Sequence, residues 1–129
     1  MTCCETKVTY PFDSELTNRI LSHRRIIHLE QREIDSLFTG KSGIMLEAKQ
    51  DDEDNFSFIH NFFEMAIENE AVKNATSILV CIEINQEKTL LIEELEGLNN
   101  FFCKMCCNIK WVVNKVTSCT GLSVMIISM

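Results

Sequence analysis

A chain of 129 residues with 46% hydrophobic and 24% charged side chains has the make-up of one globular domain, able to bury a core without disulfide or metal staples. Its net charge of -7 supplies no basic stripe for nucleic acid and sets it against anionic membranes. No apolar run reaches the roughly 18 residues of a membrane helix. The start, Met1-Thr-Cys-Cys-Glu-Thr-Lys, does not read as a signal peptide, so a cytoplasmic location is expected.

The charge is unevenly spread. Residues 1–50 carry seven acidic and seven basic side chains, residues 51–96 carry twelve acidic and two basic, and the remainder has three lysines and no acid. Seven cysteines form an odd set that, without an export signal, points to reduced packing thiols. Cys103-Lys-Met-Cys106-Cys107 holds a lone C-x-x-C, and only Cys119 follows it, so no metal site is expected.

In chain order, residues 1–12 read as a tail or short extended arm. Asp13 or Ser14 can cap a helix over residues 13–24, with Leu16, Ile20 and Leu21 as a thin apolar stripe. Residues 24–38 begin as a loop and end as a short helix whose Ile34, Leu37 and Phe38 are spaced to face a core. Residues 42–49 alternate, with Ile44, Leu46 and Ala48 on one side, as a half-buried strand does.

A helix is expected over residues 55–70, behind an acidic loop that suits its dipole. It carries two adjoining stripes: Phe56, Ile59, Phe63 and Ile67, then Phe58, Phe62 and Met65. One stripe belongs in the core. The other is a wider core face or an exposed patch for an oligomer or partner.

Residues 78–84 hold a single charge, Glu83. Ile78, Val80, Ile82 and Ile84 lie on one side and Leu79 and Cys81 on the other, so this is the deepest strand and needs cover on both faces. A helix over residues 89–104, capped by Thr89, presents Leu91, Leu95, Leu98 and Phe102. Residues 108–114 and 122–128 then read as strands, and the short connection between them predicts an antiparallel pair.

The order predicts an α/β (α+β) two-layer sandwich: a mixed four-stranded sheet with helices mainly on one face, preceded by an N-terminal helix. From residue 26 to residue 127 the chain resembles the C-terminal domain of the bacterial tubulin homologue FtsZ. The likeness is best over residues 75–128. Ala75-Thr-Ser-Ile-Leu-Val-Cys-Ile resembles the family's strand after its Ala-rich turn, and Leu90-Leu-Ile-Glu-Glu-Leu95 resembles its acidic amphipathic helix. Asn108-Ile-Lys-Trp-Val-Val113 and Leu122-Ser-Val-Met-Ile-Ile127 resemble its closing strand pair. The resemblance divides the chain into an arm and helix, residues 1–25, and an FtsZ C-terminal-like domain, residues 26–129.

In that family the loop entering this domain reads Asn-x-Asp-Phe-Ala-Asp-Val and precedes a short helix. It reaches into the nucleotide site of the neighbouring subunit, where its acids help position the water that attacks the GTP γ-phosphate. The matching positions are His28 for the asparagine, Glu30 and Glu33 for the aspartates and Ile34 for the valine. Both acids gain a methylene and the asparagine is replaced. A carboxylate moved by about 1 Å loses much of its effect on a reaction, so docking is expected rather than efficient GTP activation.

The four glycines cannot build the family's glycine-rich phosphate loop, and the three histidines lie near no serine or cysteine at catalytic spacing. The expectation is a non-enzymatic module with no cofactor, docking on or capping a polymer of full-length FtsZ or another tubulin-like protein through His28, Glu30 and Glu33. The alternative is a self-associating or small-ligand-binding α/β domain, with Phe58, Phe62 and Met65 as its homo-oligomer patch.

Overall fold

The computed structural model describes residues 3–21, 29–51 and 54–129. Its strands are β1 (Cys3–Thr9), β2 (Ser42–Gln50), β3 (Ser77–Asn85), β4 (Asn108–Val116) and β5 (Leu122–Ser128). They form one mixed sheet in the order β1-β2-β5-β3-β4. The helices are α1 (Ser14–Ile20), α2 (Gln31–Phe38), α3 (Asn55–Ile67), α4 (Glu70–Lys73) and α5 (Glu96–Lys104), with a 3-10 turn over Ile92–Leu95 ahead of α5.

The sheet has five strands rather than four, because the arm pairs antiparallel with β2 from Cys3↔Ala48 to Thr9↔Ser42. The expected pair of β4 and β5 does not form. β3 lies between them, parallel to β4 and antiparallel to β5. β5 also runs antiparallel to β2, so β2, β3 and β4 point the same way and end at one edge of the domain. Every residue of β5 is buried, and that interior place suits a strand apolar on both faces better than a hairpin arm does.

Both sheet faces are covered. On one, α3, α4 and α5 pack through Phe58, Ile59, Phe62, Phe63, Ala66, Val72, Leu98 and Phe101 over Ile78, Val80, Ile82 and Ile84. On the other, Ile20 of α1, Leu29, and Ile34, Leu37 and Phe38 of α2 cover Leu79, Cys81, Val112, Met125 and Ile127. The layer count is therefore three, and the expected two-layer sandwich with helices mainly on one face is corrected. The apolar underside of β3 is what requires the second helical layer.

Local chemistry fixes the helix ends. Asp13 accepts from the Leu16 N–H at 2.8 Å, the capping bond that starts α1. Gly40, at φ 72°, closes α2 in the left-handed conformation that glycine adopts without penalty. The helix expected over residues 55–70 stops at Ile67, because Asn69 accepts from the Ala71 N–H at 2.9 Å and starts α4 as a separate turn. Thr89 caps nothing. The Leu91 N–H donates instead to Glu94 at 2.7 Å, and helical structure begins only at Ile92.

Candidate functional site

The acidic entry to α2 is held by its own helix. Ile34, Leu37 and Phe38 anchor α2 to the sheet, while Gln31 and Arg32 at its start are exposed. Glu33 reaches back to accept from the Glu30 N–H at 3.0 Å, the reciprocal half of a capping box. Arg32 pairs with Glu30 at 2.7 Å, with the Glu30 side chain 42% exposed. An ion pair so exposed contributes little and exchanges readily with water or a partner. His28 lies outside the described residues.

The second stripe of α3 is core. Phe58 and Phe62 are both fully buried beside Ile59 and Phe63, so the apolar face is a wide one that spans both stripes. Met65 is 38% exposed. The proposed patch of Phe58, Phe62 and Met65 therefore lacks its two aromatic members at the surface, because the gap between α3 and the sheet needs those rings to fill it.

The densest polar cluster was not foreseen. Arg19, in the last turn of α1, points across the end of the sheet. Its Nε donates to both carboxylate oxygens of Glu83 at 3.0 and 3.1 Å, and its Nη2 donates to Glu83 at 2.6 Å. The same Nη2 meets Glu47, and Ser123 donates to Glu47 at 3.3 Å. The bonds to Glu83 hold the guanidinium proton affinity above its already high ordinary value. Glu83 is 4% exposed, and a carboxylate so desolvated needs a paired, hydrogen-bonded cation.

Asn114 completes the cluster from β4. Its Nδ2 donates to the Arg19 and Ile20 carbonyls at 3.0 and 3.1 Å, satisfying acceptors that a helix end leaves open. Among the described residues, its Oδ1 is the buried side-chain oxygen or nitrogen without a partner.

Above the cluster, where β2, β3 and β4 end, an open cleft of about 1040 Å³ is lined by Glu15, Arg19, Lys49, Glu83, Lys115 and Cys119 among others. Such crevices at the carboxyl ends of strands are the usual ligand position in open α/β sheets. Burial pushes the Cys119 thiol up, with Glu83 adding and Lys49 opposing. The thiol stays protonated and is a poor nucleophile. One signal for this site stood in the sequence: Glu83, alone in an apolar strand, demanded a cation that only the fold could supply.

Cys103 and Cys106 are exposed and Cys107 is half-buried. Among the described residues, no three His, Cys, Asp or Glu side chains are grouped to hold a metal ion, and no helix is long and apolar enough to cross a membrane. No protein-family profile and no curated protein sequence matches the chain.

Proposed function

We propose that this chain is a non-catalytic interaction module of the FtsZ C-terminal type, docking on a tubulin-like polymer through the acidic entry to α2 and capping it. The observation that carries this reading is the way Glu30 and Glu33 are presented. They sit half-buried at the start of a helix that Leu29, Ile34, Leu37 and Phe38 lock to the sheet. A rigidly mounted acidic turn loses little entropy on docking. What the chain shares with the expected fold is the coarse part, a mixed sheet with α3 and α5 packed on one face, while it differs in having five strands and in seating β3 between β4 and β5. A docked copy adds one contact surface and offers no nucleotide site to the next subunit, so growth stops there.

The test mixes the purified chain at rising ratios with full-length FtsZ from the same source organism and GTP, following light scattering and phosphate release. Substoichiometric loss of polymer is expected. Changing Glu30→Gln with Glu33→Gln should relieve it, since glutamine keeps the capping bond and removes the charge. Unchanged polymer at excess of the chain rejects the reading.

A further inference from the structure

We infer that the cleft at the ends of β2, β3 and β4 binds a small ligand through an oxyanion, a phosphate or carboxylate group. The inference stands on the cleft alone and goes beyond polymer docking. Three cations line the cleft, Arg19, Lys49 and Lys115, against the carboxylates Glu15 and Glu83, in a chain whose net charge is -7. The cleft is thus far less acidic than the molecule as a whole.

Orientation matters more than the count, because Glu47 beneath the cleft brings the charges level. Glu83 and Glu47 are both turned onto Arg19 through its Nε and Nη2, which leaves Nη1 with no hydrogen-bond partner among the described residues. A guanidinium fixed on one edge by carboxylates presents its remaining N–H groups without further loss of side-chain freedom, and such fixed donors suit an oxyanion. Lys115 spends one proton on the Lys88 carbonyl at 3.2 Å and keeps two. Lys49 lines the same cleft as Cys119, whose sulfur lies 3.9 Å from the Glu83 carbonyl oxygen. Thr117 and Ser118 add hydroxyls on the connection between β4 and β5.

The experiment uses the full chain and no polymer, so its outcome is independent of the docking reading. Inorganic phosphate and acetate are titrated at constant ionic strength, with chloride as the blank, and followed by calorimetry and amide NMR shifts. Saturable binding of phosphate, acetate or both is expected, with a Kd on the order of 1 mM for so small a probe and the largest shifts at residues 116–119. The pair of stronger signals identifies whether a phosphate or a carboxylate fits better. Lys49→Gln with Lys115→Gln should weaken binding about tenfold or more while the far-UV spectrum stays unchanged. Lys73→Gln, a surface change at α4, should leave it as it was. A response equal to chloride, shifts centred elsewhere, or full binding in the double variant overturns the inference.

Discussion

Arg19 and Asn114 show how single residues tie the N-terminal segment to the sheet. Arg19 serves two carboxylates from β2 and β3, while Asn114 takes up the last carbonyls of α1. Neither link is a surface ion pair of the weak kind, because Glu83 and Asn114 are buried. Cys81 sits beside them, fully buried, and burial pushes its thiol far above the ordinary value of 9.0. The sign follows from linkage. Below pH 9 both folded and unfolded chains keep the proton, so Cys81 costs nothing. Above it the unfolded chain releases the proton and the folded chain retains it, so stability falls by about 1.4 kcal/mol per pH unit from this group. Urea unfolding between pH 8 and 10.5 should show that decline, and Cys81→Ala should flatten it even though the cavity lowers stability throughout. In the native state iodoacetamide should label Cys4, Cys103 and Cys106, which are exposed, and spare Cys81. Equal alkaline slopes in both proteins would reject the assignment.

Elements are positioned by a few close approaches, one of them between two helices at Gly97. A Cβ added there would lie 2.7 Å from the His60 Cα and 2.9 Å from its N, so α5 meets the backbone of α3 directly. Two effects oppose one another in Gly97→Ala. Helix propensity favours alanine by about 1 kcal/mol, whereas overpacking costs about 1–3 kcal/mol. The obstacle is backbone, which cannot rotate away, so the clash wins. Thermal unfolding should show a lower Tm, and a raised Tm would mean that α5 shifts freely. The pairing of Phe63 with Phe101, ring centroids 4.9 Å apart, marks the contact that such a shift would break. Much at this scale was legible in the sequence: the spacing of Ile34, Leu37 and Phe38, the alternation in β2 and the doubly apolar β3 each state a periodicity that packing then used. The start of the helical segment before α5 was not, because Thr89 and Glu94 both offer capping chemistry and only Glu94 meets a free N–H.

At the scale of the whole molecule, strand order is what periodicity cannot give. β4 and β5 each had a correct pattern, and the short connection between them argued for a hairpin, yet the chain crosses the end of β3 and seats β5 between β2 and β3. The clue lay in composition: Leu122, Val124 and Ile126 oppose Met125 and Ile127, as in an interior strand, while Lys110 and Lys115 mark β4 as an edge. The Arg19 cluster was hidden for the same reason, since Arg19 meets Glu83 across 64 residues of chain and Asn114 across 95. The first strand was the other omission. β1 shows only partial burial and reads as a polar arm, but it takes up the backbone groups of β2 that would otherwise form a free edge. Beyond it, Phe12 packs on Phe38 with ring centroids 5.7 Å apart. Deleting residues 1–12 should therefore do two things. It should lower stability, because the aromatic contact and the strand pairing are lost together. It should also make the chain self-associate, because β2 then presents Ile44 and Leu46 on an unpaired edge. Size-exclusion chromatography with light scattering should report concentration-dependent dimers or larger species for the truncated chain. A truncated chain that stays monomeric and as stable as the full one would show that β2 needs no cover, and that β1 contributes neither pairing energy nor protection.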